Sequence, residues 1–203
     1  SRTGALSVAR VVSRTGAAIR LAWSPPQPAK KPLNPLWIDS IAALRPAHIQ
    51  HGVLPPLGGA PETVLRLSDA NFLVGPAVPQ PFSAKALGSL ANAVSAVGDL
   101  AYLRMRSGRL VVGSRKVARL GTGPVAALSG RDLTERLHEK AFVSEDALTP
   151  GSVLLIGTTD GHHALVRIDA VEPVGLRISW LLQPDGSARF PDLAAFDASF
   201  ETP

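Results

Sequence analysis

Apolar and polar residues alternate from Gly151 to Phe190 (GSVLLIGTTDGHHALVRIDAVEPVGLRISWLLQPDGSARF), and turn residues interrupt the alternation at short intervals. Period-two patterning between turns marks antiparallel strands, because successive side chains of a strand point to opposite faces of the sheet. Asp160-Gly161 is a dipeptide favoured in two-residue hairpins, where both central residues take positive φ. With that turn, Leu155 faces Val166, Val153 faces Ile168 and Gly157 faces Ala164 on one apolar side. The other side sets Leu154 against Arg167 and Ser152 against Asp169. A three-residue loop at Pro173-Val174-Gly175 then places Ile168 opposite Trp180 and Val166 opposite Leu182, whereas a four-residue loop would set Ile168 against Ser179. Pro184-Asp185-Gly186 leads into a short closing strand near Phe190. The meander is expected to form the core of a C-terminal lobe, through Val153, Leu155, Val166, Ile168, Ile178, Trp180 and Leu182.

Upstream, SRTGA occurs at 1–5 and again at 13–17, each followed by an alternating run. Two strands, Leu6–Val12 and Ala18–Ser24, joined by an Arg14-Thr15-Gly16 turn, are the expected result. The acid-free, Arg- and Ser-bearing start also has the composition of an organellar transit peptide, but period-two alternation points to a hairpin. Nine prolines between Pro25 and Pro61 remove backbone donors and restrict the residues before them, so this stretch reads as extended connector. Within it, Trp37-Ile38 and Ile41–Leu44 suggest one brief helix between Pro35 and Pro46. A strand over Thr63–Leu67 ends at the Ser68-Asp69 turn. Leu87, Leu90, Ala91, Val94 and Val97 recur at helical spacing, so Ala84–Val97 is the clearest helix, capped from Ser83 and stopped at Gly98. A hairpin over Leu100–Val112, turning at Ser107-Gly108, would pair Met105 with Leu110 and Leu103 with Val112. Asp132–Lys140 has the charge order of a short helix, acids first, burying Leu133 and Leu137.

The predicted fold class is α+β and mainly antiparallel β, with one main helix and a three- to four-stranded C-terminal meander. Four regions follow: an N-terminal hairpin (1–24), a Pro-rich connector (25–61), a basic α+β lobe (62–131) and an acidic lobe (132–203). The last two names rest on charge. Residues 1–131 carry 16 Lys and Arg against Asp39, Glu62, Asp69 and Asp99, so 16 − 4 = +12, while residues 132–203 carry five against 12 acids, so 5 − 12 = −7. Such a split suits either a surface facing a polyanion or two regions that attract each other or neighbouring copies. The chain has no cysteine, which excludes disulfides, thiol nucleophiles and Cys-based zinc sites. No stretch approaches the roughly 20 apolar residues of a membrane helix. The sequence does not fix a compartment.

Arg104, Arg106 and Arg109 fall on one face of the Leu100–Val112 ribbon, with Tyr102 among them and Arg115, Lys116 and Arg119 beyond. Such a patch could bind phosphates, another polyanion or a partner chain, although aromatic residues make up only 5% of the chain, leaving little for base stacking. Asp160, His162 and His163 share a hairpin tip, where carboxylate and imidazoles could form a metal or acid–base cluster. His48 and His51 have a metal-compatible spacing only on a helix, which Pro46, Gly52 and Pro55 oppose. Gly88-Ser89-Leu90 and Gly113-Ser114-Arg115 lack the second glycine of a nucleophile elbow, and no phosphate loop with its lysine follows a strand. No cofactor is expected.

These features favour a non-catalytic binding or structural subunit of a larger assembly, contacting other protein chains through exposed strands and the Pro-rich segment. Self-association is part of that expectation. The alternative is an electrostatic nucleic-acid or polyanion binder using residues 104–119. A third reading is a metal- or His/Asp-dependent hydrolase at residues 160–163.

Overall fold

The structure, a computed structural model, describes residues 9–15, 18–23, 49–78, 82–104, 108–114, 116–144, 148–183 and 185–200. The chain divides into two units, residues 1–46 and 47–203. In the first, β1 (Ala9–Thr15) and β2 (Ala18–Trp23) pair antiparallel, with one irregularity between Val11 and Ser13. Arg14 and Thr15, expected in the turn, belong to β1 and pair with Ile19 and Ala18. A β-branched threonine suits a pleated strand better than a turn. The helix expected between Pro35 and Pro46 lies outside the described residues.

The second unit is mainly antiparallel β, as the alternation predicted, with one main helix. Its strands are β3 (Ile49–Leu54), β4 (Glu62–Arg66), β5 (Asn71–Val74), β6 (Leu100–Leu103), β7 (Arg109–Val112), β8 (Lys116–Thr122), β9 (His138–Glu139), β10 (Phe142–Ser144), β11 (Ser152–Gly157), β12 (His163–Glu172) and β13 (Gly175–Gln183). Two sheets result, ordered β10-β7-β6-β4-β5 and β3-β13-β12-β11-β8-β9. Strands from 62–131 and from 132–203 share both sheets: β8 lies beside β11, and β10 beside β7. The end of the Pro-rich stretch supplies β3, an edge strand on β13.

The sheets meet face to face. Leu65, Leu100, Tyr102, Leu110 and Val112 from one pack on Leu154, Ile156, Val166, Ile168, Ile178 and Trp180 from the other. Helix α1 (Leu87–Ser95) covers the outer face of the five-stranded sheet, burying Leu87, Leu90, Ala91 and Val94 against Val64, Ala101 and Val111. It is shorter than its apolar spacing suggested: Ala84–Ala86 is a 3-10 turn, and Ala86, not Ser83, precedes the α-helix without a side-chain cap. The outer face of the six-stranded sheet is also buried. Phe190, Leu193 and Phe196, the last from α2 (Ala194–Ala198), cover Val153, Leu155, Leu165 and Leu181.

Burial on both faces explains why every residue of β11 is buried, and why alternation alone misplaced its register. Leu154 pairs with Val166 and Leu155 with Leu165, one residue away from the expected partners. The β11–β12 loop has three residues, Thr159-Asp160-Gly161, closed by the Thr158 amide donating to the His162 carbonyl at 2.8 Å. Only Gly161 takes positive φ there (+88°), and buried Asp99, accepting from both the amide and the hydroxyl of Thr159, holds that residue within the loop. Val153 and Leu155 therefore face the C-terminal layer, not the inter-sheet core.

In the next hairpin Val166 pairs with Trp180 and Ile168 with Ile178, and Pro173-Val174 connects Glu172 to Gly175. A bulge between Ile168 and Ala170 takes up the difference from the expected register. The shorter loop and the bulge each move the register by one residue and together preserve parity, so Val166, Ile168, Ile178 and Trp180 do share the predicted apolar face. In the β6–β7 hairpin Leu103 pairs with Arg109 and Leu100 with Val112, a longer connection than Ser107-Gly108 alone would allow. The expected helix over Asp132–Lys140 is a single 3-10 turn, Thr134–Arg136, followed by β9. Its start is fixed by Asp132, whose carboxylate accepts from the Thr134 amide at 2.9 Å. No strand forms at Phe190; Arg189 makes only an isolated bridge to Asp132.

Candidate functional site

The register of the β6–β7 hairpin decides where the predicted basic residues go. Tyr102 is 3% exposed, its ring part of the inter-sheet core. Arg104 reaches across to the β12–β13 turn and donates to the carbonyls of Glu172 (2.7 Å) and Pro173 (2.8 Å). Arg109 lies over the Phe142 ring, 4.9 Å from its centroid. Arg106 and Arg115 lie outside the described residues. Lys116 and Arg119 remain on β8, and there two side chains that the sequence reading assigned to a helix join them: His138 and Lys140.

Arg119, His138 and Lys140 line a cleft of about 530 Å³, and Lys116 lies just outside it. The segment 138–144 runs beside β8 as β9, crosses at Lys140-Ala141, and pairs with β7 as β10. Strand β9 covers only Lys116 and Val117 of β8, so the two sheets part beyond that point and leave a wedge. Val117, Val143 and Leu154 form its apolar floor, while Arg119, His138, Glu139, Lys140 and Ser144 line its sides. The one hint in the sequence is the short apolar, strand-favouring pair Phe142-Val143, which the acid-then-base order of the preceding residues masked.

The hairpin tip at residues 160–163 holds a different cluster. His162 Nδ1 is 3.2 Å from Asp160 Oδ1, without the alignment of a hydrogen bond, and that nitrogen is buried with no other partner. Partial burial works to raise the Asp160 carboxyl, but the hydroxyls of Thr158 and Ser68 and the nearby His162 outweigh it and hold the group below the ordinary carboxylate range. His163 turns away, its Nδ1 2.9 Å from the Gly186 carbonyl. Among the described residues no three His, Cys, Asp or Glu side chains gather closely enough to hold a metal ion.

A third polar chain runs from the surface into the outer layer. His51 Nδ1 is 2.8 Å from Ser179 Oγ, which donates to Asp169. With the serine proton directed at the carboxylate, His51 must carry its proton on Nδ1 and donate. Asp169 also accepts from Arg167 Nε at 3.0 Å. Arg167, 3% exposed, donates onward to the Phe196 carbonyl (2.6 Å) and to Ser199 Oγ (2.9 Å), with the rings of Phe196 and Phe200 against its guanidinium. Serine, histidine and aspartate are present, but the serine sits between the other two and is 1% exposed, so its oxygen is available to no substrate. This chain fastens the C-terminal segment to the sheet. His48, the other half of the expected histidine pair, lies outside the described residues.

Compared with known protein families, curated proteins and solved structures, the chain matches none. Among the described residues no helix is long and apolar enough to cross a membrane.

Proposed function

We propose that this chain is a non-catalytic binding module of a larger assembly, engaging other protein chains through strands at its sheet edges. The observation that carries this reading is the position of the exposed large apolar side chains. Among the described residues these are Val53, Val74, Val171 and Val174. Val53 (38% exposed) is on β3 and Val74 (66% exposed) on β5, and both are terminal strands of their sheets. A terminal strand presents backbone donors and acceptors along its outer edge, and proteins commonly blunt such edges with charge, proline or bulges. Apolar side chains on such an edge favour strand addition by a partner, in which main-chain bonds supply affinity and side chains supply selectivity. The nine prolines between Pro25 and Pro61 support the same reading, since proline-rich sequences commonly serve as recognition segments.

The polar groups point the same way. Asp99, Asp169, Ser179 and Arg167 are each engaged in bonds that join layers of the fold. The direct test is native mass measurement of the chain isolated from its natural source. A species heavier than the 21.2 kDa chain, through a partner or a second copy, is the expected result. A strict monomer with nothing bound at working concentration contradicts the proposal.

A further inference from the structure

We propose that the cleft between β8 and the β9–β10 segment is a binding site for a small amphiphilic monoanion, an apolar chain ending in one carboxylate. Its volume of about 530 Å³ falls within the range of small-molecule sites, roughly 300–1,000 Å³. The floor is apolar, with core residues Val117, Val143 and Leu154 beneath and half-buried Ala141 and Phe142 at its side, which rewards a hydrocarbon body and gives little to a wholly polar ion.

The rim decides the head group. Glu139 sits directly opposite Lys116 in the β8–β9 register, so these opposite charges are cross-strand neighbours. Arg119 is already engaged in an interaction of its own. Lys140 has no ion-pair partner among the described residues, and His138 lies two positions before it on the same wall of the cleft. Among the described residues Lys140 is thus the cleft cation with no ion-pair partner, a position that one carboxylate answers and a phosphate, with nearly two negative charges at neutral pH, exceeds. The lysine ammonium can swing to the cleft mouth while its methylene stem lies against the apolar chain.

The test uses isotope-labelled full-length protein titrated with octanoate at neutral pH and followed by backbone amide NMR. Saturable shifts confined to residues 117–119 and 138–144 are expected, with acetate and octyltrimethylammonium producing none. Lys140→Glu should weaken octanoate binding by about tenfold or more, the order of one lost charge contact with added repulsion. Because Lys140 is exposed, its unfolding midpoint should stay at the parent value; Lys140→Gln provides a milder second variant in case the reversed charge perturbs folding. Several results would overturn the proposal: no saturable shift up to about 10 mM octanoate, shifts centred outside the cleft, or octanol binding as tightly as octanoate. Unchanged affinity in both Lys140 variants would do so as well, as would an acidic peptide binding there more tightly than the fatty anion.

Discussion

Replacing Asp99 by alanine should loosen the two sheets from each other more than any other single polar change. The carboxylate is 0% exposed and accepts three hydrogen bonds: from the Thr159 amide (2.7 Å), the Thr159 hydroxyl (2.8 Å) and the Leu67 amide (2.8 Å). Thr159 belongs to the β11–β12 loop of the six-stranded sheet, and Leu67 follows β4 of the other, so one side chain spans the interface. Asp99→Ala strands the Leu67 amide in the interior, at about 1–3 kcal/mol, while water can reach the more exposed Thr159. Against this, the variant no longer buries a carboxylate, which returns part of the loss. A net destabilisation of about 1–2 kcal/mol results, a sizeable fraction of the roughly 5–15 kcal/mol that holds a typical domain folded. Urea unfolding followed by the fluorescence of buried Trp180 should show a midpoint lower by about 0.5–1 M with little change in slope. Thr159→Ala should cost less, and in the Asp99→Ala background nearly nothing, because the two groups share one interaction. A loss below about 1 kcal/mol, or strictly additive effects, would refute the bridging role.

Arg167→Met should destabilise by about 2–4 kcal/mol, since it leaves half-buried Asp169 without its cation and the Phe196 carbonyl without its donor. Limited proteolysis should then cut within residues 185–200 before the rest of the chain unfolds, and simultaneous cleavage throughout would speak against the fastening role. Gly113→Ala should lower the thermal midpoint, because its methyl would overlap the Gly98 carbonyl and crowd Ser95 Cα at 3.1 Å; an unchanged midpoint would contradict the packing described. Asp160 is held below the ordinary aspartate value of 3.8, so it contributes stability above that value and loses it as pH falls through its lower folded value. The carboxyl is partly solvated, so the contribution is modest; Asp160→Asn should flatten that part of the acid-unfolding curve, and an identical acid limb would argue against it.

Much of the fold was legible because local rules and tertiary packing agree. Leu87, Leu90, Ala91 and Val94 are buried where their spacing put them, and the parity of β12 and β13 survived because a bulge offsets the error in their loop length. What could not be read depends on distant partners. Strand β3 hides among prolines and pairs with β13, more than a hundred residues away. The β11 register turns on Asp99, whose burial no local pattern announces. Tyr102 and the arginines around it were assigned to one face from a hairpin three residues shorter than its true connection, and Arg104 found its carbonyls at the β12–β13 turn. The cleft was illegible for a similar reason. Its wall is a strand that changes sheets at Lys140-Ala141, and charge order there mimics a helix.

Hydrogen exchange is the most direct measurement of edge-strand binding. The amides of residues 49–54 and 71–74 should exchange more slowly in the natively assembled protein than in the isolated chain, with the inner strands β6 and β12 equally protected in both. Protection that appears only elsewhere, or identical exchange at both edges in the two states, would contradict a binding role for these strands.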